Sequence, residues 1–434
     1  MITLQTDLDP KTEISNIPAK PPAPYYVRAL ALGLPAILLG IQISGWIGIA
    51  PAILHGHSDF RQLYTAGYMV RTGHGDEIYD YGRSKGFQDR LISPEQIALP
   101  FNHLAYETLL YVPFSRLRYR LAFFAFLGTN LLLLVVSFKL LRRRMDHLAE
   151  VWEWLPVAMF VTYLPFAATL MQGQDSLVLL TLLTAAMVLL DDHQEFMAGL
   201  MIALGLFKFQ IILPIGFLFL FWRRWRFTAG FAVSAALVSL TSLWIVGWAQ
   251  VQVYAGALVS MSIHLSSRAE QVMYGISPTS MPNIRGLIYG VANGYLSSVA
   301  IQAITIVASG AVLGMLAWTG TRLRAADALP LAITTSVLVS YHLLFHDLSV
   351  LFIPIVLILN RLMESEATNN KQGRSITRTA TLMFAAPICM SFIPSHFYLV
   401  SLPIVALLFV LIRAANVDPT QLAAGVHQPA VEMP

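Results

Sequence analysis

Cysteine is nearly absent. Cys389 is the single one in 434 residues, so no disulfide can form within the chain and no cysteine cluster can hold a metal. Lying in an apolar run, it is expected to be a buried small residue. Charge is scarce as well: Asp, Glu, Lys and Arg make up 12% of the residues, about half the roughly 25% of a soluble domain. The net charge is only +4, gathered in short clusters. That pattern excludes nucleic-acid binding by a basic face and points instead to orientation in a membrane. The first 27 residues lack the basic start, short apolar core and small-residue cleavage site of a secretory signal. They are polar and proline-rich, and they are expected to be a disordered cytoplasmic tail, as are residues 414–434. Neither a low-complexity block nor a repeat of roughly 20–50 residues is apparent.

What is abundant is apolar sequence, with 56% hydrophobic residues and a mean hydropathy of +0.64. The chain therefore reads as an all-α, polytopic membrane protein. Apolar segments fall at about 28–52, 119–141, 154–171, 175–190, 196–207, 209–222, 228–248, 296–320, 327–345, 347–360, 379–394 and 397–412. Counted as about twelve transmembrane or half-membrane helices, they place every basic cluster on one side. Those clusters are Lys20 with Arg28, Arg142–Arg144, Arg223–Arg226, Arg322 with Arg324, and Arg361 through Arg378. The positive-inside rule makes that side cytoplasmic, with both termini inside. Residues 28–413 then form one membrane domain, with outer loops at about 53–118 and 249–295. Several central segments are shorter than the roughly 20 residues of a simple span, which suits a core enclosing a water-filled vestibule.

The first outer loop carries the stretch with the most chemistry, His55-Gly-His-Ser-Asp59-Phe-Arg61-Gln-Leu-Tyr64 and onward to Arg71-Thr-Gly73. Ser58 can cap a helix, Asp59 then sits in its first turn, and Arg71 with Gly73 forms a stop signal. Phe60, Leu63, Tyr64, Gly67 and Val70 recur at helical spacing, so an amphipathic helix lying on the membrane surface is expected. Asp59 reads either as a catalytic carboxylate or as a mere cap. A second amphipathic stretch runs from Pro100 through His103 and Glu107 to Phe114.

Polar residues interrupt or border the apolar segments at three places, and Arg285 stands out in an outer loop. Lys208, in Phe-Lys208-Phe-Gln210, would cost roughly 2.5–3.5 kcal/mol at mid-bilayer, so a helical hairpin with Lys208 and Gln210 at its outer tip is expected, snorkelling being the other reading. Gln172-Gly-Gln174-Asp175-Ser176 forms an outward turn, whose amides suit either sugar recognition or the turn's own backbone. His342 and His346 are four apart, on one face if helical, and Asp347 follows. His55-x-His57-x-Asp59 offers another metal-like spacing, but neither set brings the glutamate of a zincin helix, and no metal or other cofactor is expected. His346 with Asp347 fits proton handling or phosphate binding better. Arg285, in the second outer loop, suits a phosphate or a carboxylate such as Glu270.

Together these features resemble glycosyltransferase family 87, a branch of the GT-C membrane glycosyltransferases, over roughly Arg28 to Arg413. The resemblance is carried by Ser58-Asp59-Phe60 after the first membrane segment, Ile78-Tyr79-Asp80, Gly173-Gln174, the run Ala198 through Gln210, Trp222-Arg-Arg-Trp225, Asn283-Ile-Arg285-Gly-Leu287 and His346-Asp347. The chain departs from the family in having Pro100-Phe-Asn-His103 where Tyr-Pro-Pro is usual, and Phe209 where a proline usually follows the lysine. The resemblance implies a GT-C-like fold and an inverting hexosyl transfer at the extracytoplasmic face of the plasma membrane. The donor would be a polyprenyl-phosphate sugar, mannose above all, and the acceptor a glycolipid or glycan hydroxyl. Asp59 would be the general base. Lys208, Arg285 and His346 would hold the donor phosphate, and Arg61, His103, Gln174, Gln210 and Asp347 would contact substrate. A secondary transporter or lipid flippase is the alternative, but the two halves show no matching broken helices, and the ionisable residues gather at one face. A membrane scaffold would leave Lys208 unexplained.

Overall fold

The computed structural model describes residues 25–95, 98–263, 277–320, 323–364 and 371–416. Most of the two expected tails, Arg322, and Glu270 with its stretch of the second outer loop lie outside these residues. Helices build the protein, and no strand occurs among the described residues. Each of the twelve apolar segments falls on a helix. Among the described residues six helices are long and apolar enough to cross a membrane, and up to eight if each of two bent pairs counts once; the others are shorter.

Burial divides the helices into two layers. Tyr25–Leu54, Tyr119–Arg142 and Ser298–Thr319 turn residues such as Ile47, Leu132 and Ile306 outward, where lipid rather than water is the neighbour. Inside them stand Ser176–Asp191, Ala325–Val339 and the stretch Phe345–Glu364, whose Leu180, Ile333 and Val350 are wholly buried. The inner helices of 16 and 15 residues span about 22–24 Å at 1.5 Å per residue, less than the roughly 30 Å of hydrocarbon. Their ends therefore stop short of the surface and leave room for recesses.

Glu195–Ala203 and Leu206–Phe221 form one of the bent pairs, at 63°. Its two far ends meet, Arg224 Nη1 lying 3.4 Å from Glu195 Oε1, while Lys208 at the junction reaches the site described below. The pair is thus a V with Lys208 at its apex, as the hairpin reading expects. Gly199 and Gly230 let its first arm lie directly on Trp225–Ile263: a Cβ on Gly199 would meet Phe227 O at 2.1 Å.

Four sequence expectations are corrected here. Phe60–Arg71 does not lie on a surface with one wet face; Arg61, Thr65 and Ala66 are buried along with Phe60, Leu63 and Tyr64. The stretch from Pro100 to Phe114 folds as short turns, with helical residues only at Ala105–Tyr111 and a further turn from Phe114, because Pro100 and Pro113 interrupt it. His342 and His346 do not share a helix, since the helix before them ends at Val339. Cys389 is exposed, on the outward side of its helix.

Candidate active site

Phe60 fixes where Asp59 goes. Its buried ring packs among Tyr111, Tyr119, Phe123 and Phe126, with centroids 5.3–6.3 Å away. Ser58 spends its hydroxyl on Tyr119 Oη at 2.9 Å and does not cap the helix. Asp59, at the N-cap position, makes no capping bond either. Its Oδ2 instead accepts a 2.7 Å hydrogen bond from Gln174 Nε2. A carboxylate that serves no cap is aimed elsewhere.

Gln174 is held in turn. Asn130 Nδ2 donates to its carbonyl at 3.0 Å, and Gly173 before it has φ +61°. A Cβ at Gly173 would meet Phe60 Cβ at 2.8 Å. Gly173→Ala therefore combines left-handed strain with a clash, and it is expected to cost on the order of 1–3 kcal/mol and to slow turnover by separating Gln174 from Asp59. Thermal unfolding beside a transfer assay checks this; unchanged values in both would show that the turn does not position the base.

Behind Gln174 runs a buried ladder of alternating charge. His103 Nδ1 lies 2.5 Å from Glu107 Oε2 and 3.2 Å from Asp175 Oδ2. Lys208 Nζ then bridges Asp175 Oδ1 at 2.9 Å and Asp347 Oδ1 at 2.8 Å. Asp347 is braced further by Ser176 Oγ and by the Leu344 amide. Burial alone would lower the His103 pKa, but Glu107 and Asp175 outweigh it and raise it to about 10. Tyr106 ties the V to the same loop, donating to Leu204 O and accepting from the Phe207 amide.

His103, Glu107 and Asp175 are close enough to be considered as metal ligands, their ligating atoms lying within 4.8 Å of one another. Ligands bonded at about 2.1 Å around one tetrahedral metal stand about 3.4 Å apart. As they stand, His103 and Glu107 are hydrogen-bonded to each other at 2.5 Å rather than spread around an ion. The Lys208 ammonium already serves Asp175 as its cation.

His103, Lys208 and Asp347 of the ladder, with Asp59 and Gln174, wall a polar chamber of about 250 Å³, which His342, His346 and Gln210 complete; Glu107 and Asp175 stand behind that wall. A more apolar groove of about 540 Å³, between the first membrane helix and the segment around Phe392, reaches the same point. Asp59, Leu344 and His346 line both. Two chamber atoms, Gln174 Oε1 and His342 Nδ1, are buried without a hydrogen-bond partner.

Arg285 stands beside the chamber. Its Nη1 donates to Tyr341 O at 2.9 Å and its guanidinium stacks on the Tyr341 ring, with Asn283 pinned to Ser340 O on the same turn. No carboxylate pairs with it among the described residues, and burial lowers its pKa to about 10. It remains charged at neutral pH. A buried guanidinium without a carboxylate is costly unless an anion visits it.

The chamber thus gathers Asp59, His103, Gln174, Lys208, Gln210, His346 and Asp347, with Arg285 at its edge. Arg61 is not among them. Its guanidinium is spent on Gln88, Ser93 and Asp89, so it anchors the first outer loop rather than facing the chamber. Lys208, expected as a free cation for phosphate, is held between two carboxylates. Sequence reasoning gave Asp175 and Glu107 no site role and weighed His342 only as a metal ligand. Asp175 had a signal, a carboxylate heading an apolar helix; Glu107 is brought in only by the fold.

A family model, glycosyltransferase family 87, matches residues 107–354, more than half of the chain. The chain belongs to glycosyltransferase family 87. Gln174, Lys208, Arg285, His346 and Asp347 lie inside the matched stretch, and Asp59 precedes it. Searches of curated proteins and of solved structures returned no match. Membership makes this family 87 chain a membrane glycosyltransferase, which sets aside the transporter reading.

Proposed function

We propose that this chain transfers a sugar, mannose as the expected one, from a polyprenyl-phosphate donor to a hydroxyl of a glycolipid or glycan, at the extracytoplasmic face of the plasma membrane. The carrying observation is the position of Asp59 and His346, where a polar chamber opens into an apolar groove. A prenyl chain suits the groove and its sugar suits the chamber. Arg285 and His346 are the groups that hold the phosphate, since Lys208 is neutralised by Asp175 and Asp347.

In the step itself, Asp59 takes the proton of the acceptor hydroxyl, whose oxygen forms the new bond at the anomeric carbon. The bond from that carbon to the phosphate oxygen breaks, and polyprenyl phosphate leaves with the electron pair. A single displacement inverts the anomeric centre. Gln174 Oε1 can accept a hydrogen bond from a sugar hydroxyl and His342 Nδ1 can donate or accept one according to its tautomer, which would satisfy two buried polar atoms. Gln210 and His103 are further sugar contacts in this reading.

Purified protein offered a panel of polyprenyl-phosphate sugars, with products read by mass, tests the proposal. One donor is expected to yield a glycosylated product, and failure with every donor would reject it. Arg285→Gln is expected to raise the donor KM about 10- to 100-fold, the worth of one charge-assisted bond of about 1.5–3 kcal/mol. An unchanged donor KM would remove Arg285 from the phosphate site.

A further inference from the structure

A separate cavity, of about 860 Å³, opens at the far end of the bundle from the chamber. The inner helices connect the two. Asp175, next to Gln174 of the chamber wall, heads Ser176–Asp191, and Asp191 at its other end lines the cavity. Ala325–Val339 runs the opposite way, from Asp327 at the cavity to Tyr341 at the chamber, and the stretch 345–364 leads back from His346 to Arg361. These inner helices are shorter than the hydrocarbon is thick, so a cavity at their ends can set its apolar floor below headgroup level while its exposed arginines stay at the interface.

Its lining has two parts. Leu331, Leu357 and Leu411 make an apolar floor, while Arg144, Arg324 and Arg361 come from distant parts of the chain to its wall. Arg144 is matched by Asp191 and Arg324 by Asp327 at 2.7 Å, whereas Arg361 has no acidic partner among the described residues. The lining itself carries three arginines against two aspartates, Asp191 and Asp327. Exposed ion pairs such as Arg324–Asp327 are worth only about 0–1 kcal/mol, so either arginine can turn its planar fork to a phosphate with little loss. A free anion would not need the apolar floor, and a zwitterionic lipid would gain little from the unmatched charge. We propose that this recess binds an anionic phospholipid, its phosphodiester on Arg324 and Arg361 and its acyl carbons over the leucines. The inference does not depend on Asp59 or on the transfer reaction.

The test uses full-length protein in zwitterionic phosphatidylcholine nanodiscs titrated with phosphatidylglycerol, with retained lipid read by native mass spectrometry. Wild type is expected to retain phosphatidylglycerol in preference to phosphatidylcholine. R324Q and R361Q, both at exposed positions, should each weaken that retention about tenfold, as loss of one charge-assisted bond implies. Inorganic phosphate in excess should not displace the lipid. Wild-type retention by both variants, or displacement by inorganic phosphate alone, would overturn the proposal, the latter in favour of a free-anion site.

Discussion

Asp59→Asn is expected to abolish transfer and leave the fold intact. The two halves of that statement have separate grounds. Asn keeps the shape of the side chain and one oxygen to accept from Gln174 Nε2, and the carboxylate makes no capping bond whose loss would unravel Phe60–Arg71. The aromatic box around Phe60 holds the helix start whatever residue 59 is. An amide cannot take a proton from an alcohol, however, and removing a general base costs typically 10²–10⁴ in rate. Purified D59N should melt with the wild type and show turnover at or below a hundredth of it. Wild-type turnover would dismiss Asp59 as the base. A lowered melting temperature with residual activity in proportion to folded protein would assign it a structural role instead.

Lys208→Met is expected to act on stability before it acts on the donor. Lys208 is 3% exposed, and its ammonium sits between Asp175 and Asp347. Methionine fills its volume but leaves Asp347 without its ammonium and Asp175 with His103 alone, a loss of about 3–5 kcal/mol for a broken buried pair. Asp175 also holds His103, and Asp347 also holds the turn at Leu344, so damage should spread to both sides of the chamber. Thermal unfolding in detergent should show a large drop for K208M. Adding Asp175→Asn should recover part of it, because one of the stranded charges is then gone. If K208M instead melts normally and only its donor KM rises, Lys208 is a phosphate ligand and the ladder is incidental to folding.

These expectations trace how much of the site the sequence reveals. Asp59, Lys208, Gln174 and the His346-Asp347 pair stand out because each places a polar group against an apolar segment, where burial without a partner is expensive. That logic says a partner exists and does not say which. Asp175 and Asp347, supplied by other segments, are the carboxylates that hold Lys208. Arg61 shows the opposite failure. Its place two residues after Asp59 suggests a shared site, but positions two apart on a helix do not face each other, and its fork turns to Gln88 and Ser93. Cys389 reads as buried from its apolar neighbours, yet in a membrane the outward face is apolar as well.

Composition and hydropathy period were sufficient to specify a helical membrane protein, and the order of its polar interruptions was sufficient to indicate its family. Both are local properties, fixed by the transfer of side chains and backbone between water and hydrocarbon. Span count, the pairing of charges and the meeting of chamber and groove at Asp59 were decided by tertiary structure alone. They depend on which short helices pack inside longer ones, and on contacts such as Gln174 with Asp59, 115 positions apart, that no window of sequence contains.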